Sequence, residues 1–250
     1  MKIKGFIKKI WAGVLWLLIW QAAAMLIDKK LILVSPVDVV KRLFELLPES
    51  AFWSSIFTTG VRIIFGYLLG VTVGTLLAVL AAKIGLLRDF LSPFMLTVKA
   101  VPVASFTILA LFFLSSENLA ILVTFLIALP IVYSNILTGI DSMDKRLVDM
   151  AKLFRIAPHK KAIYIYFSQI LPYFKTASSV AAGLSWKSGV AAELIVITTA
   201  SIGEMLYQAK VELDSASLFA WTFVVILLSR FTEFVFAKLI DGAWHAVEKI

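Results

Sequence analysis

The sequence predicts an all-α, polytopic membrane protein with six transmembrane helices and a cytoplasmic two-helix loop between the fourth and fifth. Three observations lead there. Of the 250 residues 61% are apolar and 16% charged, and the mean hydropathy is +0.95, too much apolar side chain for a 27.7 kDa globule to enclose. Six apolar runs are each long enough to cross a bilayer core, which takes roughly 20 helical residues. Lys and Arg between those runs divide 15 against 6 across the two sides.

The first run, residues 10–27, is entered from Lys8 and Lys9 and closed by Asp28, Lys29 and Lys30. A basic start and Ala22-Ala23-Ala24 imitate a signal peptide, but the apolar stretch is longer than a cleaved segment carries, so it reads as an uncleaved helix. Residues 37–47 then read as a short amphipathic helix, with Ser35 as N-cap, Pro36 in the first helical position and Asp38 on the positive end of the dipole. Its apolar face (Val39, Val40, Leu43, Leu46, Leu47) suits the outer membrane surface.

The second run, 63–82, ends at Lys83 and spaces Gly66, Gly70 and Gly74 for close helix packing, within the bundle or between copies. The third, 93–114, is broken by Pro102, and the fourth, 119–137, contains Pro130; both prolines kink their helices and free carbonyls for a cavity. Lys99 lies near the cytoplasmic end of the third run, where its stem can carry the charge to the interface. The fifth run is 177–198 and the sixth 218–237. With six spans both termini share one side, and the excess of Lys and Arg makes that side cytoplasmic. The +8 formal charge is thus topological, and nucleic acid is not an expected partner. Neither repeats nor low-complexity tracts divide the chain, so 1–250 reads as one domain.

Residues 138–175, between the fourth and fifth runs, are too patterned for a tether. Leu147, Val148, Ala151 and Phe154 fall at helical spacing, Arg155-Ile156-Ala157 makes a break, and Pro158 starts a second helix to about Phe167. Pro172 then leads into the fifth run. Two such helices suit docking into a groove of a soluble partner, or lying on lipid headgroups drawn by Lys160 and Lys161. Spacing alone leaves both open.

Asp149-Met150-Ala151, Arg155 six positions on, and Gln169-Ile170-Leu171-Pro172 together resemble the EAA loop of binding-protein-dependent ABC importer permeases. The flanks are similar to the nitrate, sulfonate and taurine branch of that family. They comprise Ser35-Pro36 before an amphipathic helix, Lys99-Ala100-Val101-Pro102 in the third run, and Trp186 with Val190-Ala191-Ala192-Glu193 in the fifth. The resemblance covers essentially the whole chain. It departs at Asp149, usually Glu in the family, at Met150 (Ala), at Arg155 (Gly) and at Ser168 (often Pro). If the Arg155 turn is left-handed, arginine costs roughly 1 kcal/mol relative to glycine there.

The resemblance implies the membrane pathway of an ATP-driven importer in a bacterial inner membrane, for a small anionic solute of the nitrate, sulfonate or taurine kind. Its implied partners are a second, identical permease copy, two ATPase subunits, an extracytoplasmic substrate-binding protein, and membrane lipid. Asp149, Met150, Ala151, Arg155, Ile156, Pro158, Leu171 and Pro172 are the residues it implies for coupling to the ATPase.

Other chemistry is poorly supplied. There is no cysteine, and His159 and His245 stand 86 positions apart without ligand-spaced companions, so neither a metal nor another cofactor is expected. Asp141, Asp144 and Asp149 lack a catalytic partner, which argues against an enzyme. Gly183-Leu184-Ser185-Trp186-Lys187-Ser188 fails as a phosphate loop, because Trp186 stands where glycine must precede the lysine. ATP is therefore expected to be hydrolysed by a partner.

Lys187 falls near the middle of the fifth run, where a charge costs at least about 2.5–3.5 kcal/mol and is usually functional or paired. Glu193 lies six positions on, about 240° round the helix, so a pairing carboxylate would have to come from a neighbouring helix. With Ser178, Ser179, Ser185 and Ser188, this helix is unusually polar. The expected pathway residues are Lys187, Ser185, Ser188, Glu193 and Pro102. Arg230 and Glu233, three apart, read as a local ion pair. The rival reading is a secondary transporter driven by an ion gradient, with Glu193 as its carboxylate, although the inverted repeat common in such proteins is not evident.

Overall fold

The computed structural model describes residues 2–27, 29 and 31–248, and the side chains of 11–27, 29 and 31–245. Lys2, Lys4, Lys8, Lys9, Lys30 and Lys249, which carry part of the orientation reading, fall outside the described side chains, as does Asp28. Every described element is helical. In order they are α1 (Lys2–Ile27), α2 (Pro36–Leu46), α3 (Ser50–Lys83), α4 (Gly85–Ala100), α5 (Val103–Ala110), α6 (Ser116–Asp141) and α7 (Lys145–Leu153). Then follow α8 (Pro158–Lys161), a π-helical turn (Ala162–Phe167), α9 (Ser168–Val196), α10 (Ile202–Val211) and α11 (Ser215–Glu248).

By length and apolarity α3 and α6 can each cross a membrane, and α4 with α5 makes a third such element, bent by 101°. Pro102 sits at that bend, so the third run is two helices set nearly at right angles, a stronger break than a kinked span. Pro130, by contrast, lies inside α6 without interrupting it. α9 and α11 are long enough, at 29 and 34 residues, but carry charged residues within. The apolar part of α1, Trp11–Ile27, is shorter.

α6 is the central helix, packed between α3 and α9. Small residues make this possible. A Cβ on Gly66 would meet Thr124 Oγ1 at 1.9 Å and the Ile121 carbonyl oxygen at 2.4 Å; one on Gly70 would meet the Ala128 Cβ at 2.6 Å. The glycine spacing of the second run therefore serves packing within the chain. On the other side Ala177, Ala181 and Ala182 of α9 are buried in the same cluster as Leu129, Val132 and Ile136 of α6. Between helices in lipid such van der Waals contact replaces the hydrophobic drive available in water. A second cluster joins α2, α3, α10 and α11 through Val39, Leu46, Phe52, Ile202 and Trp221.

α2 forms as its caps require, with Ser35 Oγ accepting from the Asp38 amide at 3.1 Å. Its apolar face only partly meets the expectation of an outer-surface helix. Val39 and Leu46 are buried in the protein, whereas Val40 and Leu47 are exposed. Arg42, bonded to Ser217 at 2.8 Å, holds α2 against the start of α11. Pro172 is the clearer correction. It does not mark a boundary, because α8, the π turn and α9 follow one another without a break and Pro172 lies inside α9.

Candidate functional site

Two regions concentrate the chain's unusual chemistry: the α7 segment and the outward face of α9. α7 is short, so its ends define it. Asp144 caps it by accepting from the Arg146 amide at 2.8 Å, while the Asp144 amide donates to Gln169 Oε1 at 2.7 Å and anchors the cap to α9. At the other end the Ile156 amide bonds the Ala151 carbonyl and the Arg155 amide that of Lys152, with Arg155 left-handed at φ 50°. This is the glycine-type helix ending in which the residue after the cap takes positive φ, here made by arginine.

Ala151 is buried beneath α7, but Leu147, Met150, Leu153 (80%) and Phe154 (72%) are exposed. Asp149 and Lys152 pair at 2.9 Å on the surface, and the hydrogen bond to Asp149 raises the Lys152 pKa. The segment thus offers an apolar face with a charged margin. A 720 Å³ cavity behind it is lined by Lys83, Asp141, Lys145, Asp149 and Lys152. Arg88 forks onto Asp141 at 2.7 and 3.1 Å, tying α4 to the end of α6 beside this cavity.

α9 has two faces with different contents. Ser178, Ser185 and Glu193 are turned into the bundle and buried. Lys187 lies two positions beyond Ser185, hence about 200° round the helix, and is exposed. It lines a 490 Å³ groove between α9 and α11 together with Gly183, Ser229, Arg230 and Glu233. Arg230 donates to Glu233 Oε2 at 2.8 Å, and the other Glu233 oxygen accepts from Ser179 at 2.5 Å. The expected local ion pair is present, but it also reaches across to α9.

Glu193, fully enclosed, turns away from Lys187. Its carboxylate accepts from Thr59 at 2.8 Å and lies 3.5 Å from Arg62. Thr59 Oγ1 also accepts from the Ile202 amide at 2.9 Å, so one hydroxyl links α3, α9 and α10. Beyond Glu193 the chain turns through Ile197 and Ala200, both at φ 51°. Of the expected pathway residues, then, Lys187 lines the groove, Ser185 and Glu193 are inside the bundle, Ser188 is half-buried, and Pro102 is at the α4–α5 bend. Lys99, expected to reach the interface, donates to Ser134 of α6 at 2.7 Å. Of the coupling residues, Met150 and Arg155 are exposed, Ala151 is buried, and Leu171 and Pro172 lie inside α9.

Sequence reasoning did not connect Thr59 and Arg62 with Glu193, nor Arg230 and Glu233 with Lys187. The usable signal was the same for both: a charge inside an apolar run needs a neighbour of complementary chemistry.

The sequence model described as "Binding-protein-dependent transport system inner membrane component" matches residues 70–242, which include both regions. SsuC of Bacillus subtilis, named for aliphatic sulfonate transport as a permease, is 24% identical over 239 residues, 95% of this chain and 86% of its own length. The nitrate import permease NrtB of Synechocystis sp. is 26% identical over 215 residues, 80% of this chain and 78% of its own. The bicarbonate transport system permease CmpB of Synechocystis sp. is 27% identical, over 65% of this chain and 58% of its own. Among solved structures, the MetNI methionine ABC transporter in inward-facing form has a similar fold, with a TM-score of 0.57 at 16% identity over 78% of this chain and 93% of its own. An amino acid ABC transporter crystallised with histidines scores 0.55 at 15% identity, covering 78% of this chain and 94% of its own.

Proposed function

The chain belongs to the family of binding-protein-dependent transport system inner membrane components and is a permease subunit of an ATP-binding cassette importer, and from that premise we propose how its parts divide the work. Two identical copies pair in the bacterial inner membrane, and each docks one ATPase subunit. A substrate-binding protein delivers the solute from the far side. Each copy is one domain of six spans, α1, α3, the α4–α5 pair, α6, α9 and α11, with both termini cytoplasmic.

Residues 138–175 form the coupling region, and α7 is the part that enters the ATPase. Its exposed Leu147, Met150 and Leu153 supply the contact, Asp149 its margin, and the Ala151–Ile156 bond its rigidity. Pro158 starts the helix that carries ATPase motion along α9 through Leu171 and Pro172 to Lys187. Lys187 faces the pathway. Ser185, Ser188, Glu193 and Pro102 act on it through helix packing and the α4–α5 bend. The solute is a small anion; aliphatic sulfonates, nitrate and bicarbonate, named for three relatives, are all singly negative at neutral pH.

The observation that carries the reading is a family match running unbroken across α7 and the Lys187 groove. The chain's own lysine–serine pair supports an ATPase elsewhere, because Lys187 and Ser188 lie inside α9 behind Trp186. Gentle extraction of the tagged chain from its native membrane, followed by intact mass analysis, tests the assembly. Two permeases with two ATPase chains are expected. A lone chain that transports in liposomes on an ion gradient would overturn it.

A further inference from the structure

The α9–α11 groove holds an electrostatic imbalance. Lys187 has no ion-pair partner among the described residues. Arg230 has its one carboxylate, Glu233, which bonds a single guanidinium nitrogen and is itself engaged by Ser179. Two cations and one carboxylate leave the groove one net positive charge. The neighbouring grooves differ: one between α3 and α11 and one beside the α4–α5 bend carry no charged residue. A cation at this depth facing lipid is strongly disfavoured, whereas beside water and a counter-anion it is not. This step rests on the permease reading above, from which it takes only that the groove opens to an aqueous path.

We propose that this groove is a solute-binding subsite for a small, singly charged oxyanion, held between the Lys187 ammonium and the free edge of the Arg230 guanidinium. Lysine supplies a point charge and arginine a planar fork, together matching a trigonal or sulfonate-type oxyanion. Glu233 sets the selectivity. With it ionised, a monoanion leaves the groove neutral, while a dianion such as sulfate leaves one uncompensated negative charge beside the Glu233 carboxylate. Glu233 thus both orients Arg230 and rejects the second charge.

The absence of cysteine allows a direct test. Ser229→Cys, in the groove wall, is introduced into the importer purified with its ATPase and placed in phospholipid nanodiscs. Its labelling rate is measured with an anionic sulfonatoethyl and a cationic trimethylammonioethyl methanethiosulfonate, each divided by its rate with free cysteine. The ratio of the two cancels changes in thiol ionisation and reads the local potential. It should favour the sulfonate by about tenfold, fall by roughly fivefold in Lys187→Met and in Arg230→Met, stay high in Arg230→Lys, and rise in Glu233→Gln. Nitrate and methanesulfonate should slow labelling more than sulfate at equal ionic strength.

No labelling by either reagent, a ratio near one, a ratio unmoved by Lys187→Met, or equal protection by sulfate overturns the proposal. Should a methionine variant fail to assemble, Lys187→Gln and Arg230→Gln replace it. The readout needs no turnover. A preparation that labels as expected but never hydrolyses ATP with its partner would instead count against the permease reading.

Discussion

Thr59 donates a 2.8 Å hydrogen bond to the buried Glu193 carboxylate 134 positions further along the chain, and the same hydroxyl accepts from Ile202 at 2.9 Å. The contact closes α3 against α9 and α10 where a glycine, Gly203, packs on the Glu193 backbone, its added Cβ only 2.5 Å from the carbonyl carbon. Thr59→Val removes the donor and orphans the Ile202 amide, at a cost of about 1–3 kcal/mol for an unsatisfied buried group. Thr59→Ser keeps both bonds. Thermal unfolding in detergent should rank wild type and serine together and valine clearly lower; a valine midpoint equal to wild type would contradict this account.

Gly66 makes a sharper steric prediction. Its missing Cβ would sit 2.4 Å from the Ile121 carbonyl oxygen, a backbone atom that cannot rotate away. Gly66→Ala must push α3 from α6, costing at least about 1–3 kcal/mol, the usual range for overpacking. Gly183→Ala, whose nearest neighbour would be Ser229 Oγ at 3.8 Å, is the matched control. Size-exclusion profiles after mild heating should show loss of the monodisperse species for the first variant and not for the second.

These sites differ in how far the sequence reveals them. The Ser35 cap of α2 and the small-residue stripe of α3 are local patterns and could be read directly. The start of α3 could not. Its apolar run begins at 63, but the helix begins at Ser50, and its polar first turns find distant partners, Thr58 on the Ala200 carbonyl at 2.7 Å and Thr59 on Glu193. Helix ends were hidden for another reason. Arg155, Ile197 and Leu213 all adopt positive φ just past a helix, at positions where glycine is the usual signal. Pro172 misled in the opposite sense, since a proline only weakens a helix when packing on both sides holds it. The placement of Lys187 in one groove with Arg230 and Glu233 depends on the register of α9 against α11, which no local pattern encodes.

Arg155 offers a gain of stability. At φ 50° its Cβ crowds the following carbonyl, and glycine would not. Arg155→Gly should stabilise the α7 ending by roughly 1 kcal/mol, and Arg155→Val should cost more than the arginine does. Hydrogen exchange of the Ile156 amide, bonded to Ala151, reads this locally. Slower exchange is expected in glycine and faster in valine; no difference between the two would remove strain as the explanation.

The Lys175–Asp241 contact gives a pH dependence. Lys175 bonds both carboxylate oxygens, at 2.6 and 2.8 Å, and this hydrogen bonding holds the Asp241 pKa below its ordinary 3.8. A carboxyl lowered on folding contributes stability that is fully present above the ordinary pKa and is lost as pH falls through the lowered one. The wild type should therefore unfold at a higher temperature than Asp241→Asn near neutral pH, and the two should converge as the pH falls through the lowered pKa. A difference that persists in acid would mean the asparagine acts by packing instead.

The exposed apolar face of α7 separates coupling from folding. Leu153 and Phe154 are among its most exposed side chains, whereas Ala151 is buried under it. If this face enters the ATPase, Leu153→Asp places a charge in a desolvated contact that has no partner for it, a loss of a few kcal/mol in docking with little effect on the chain's own stability. ATP hydrolysis stimulated by the permease should fall by about tenfold or more, the equivalent of at least 1.4 kcal/mol, while the unfolding midpoint of the isolated permease stays near wild type. Ala151→Asp is the counterpart. It must unseat α7 itself, so both readouts should fall together. Stimulated hydrolysis that survives Leu153→Asp would mean that α7 lies on the membrane surface and that the ATPase is gripped elsewhere.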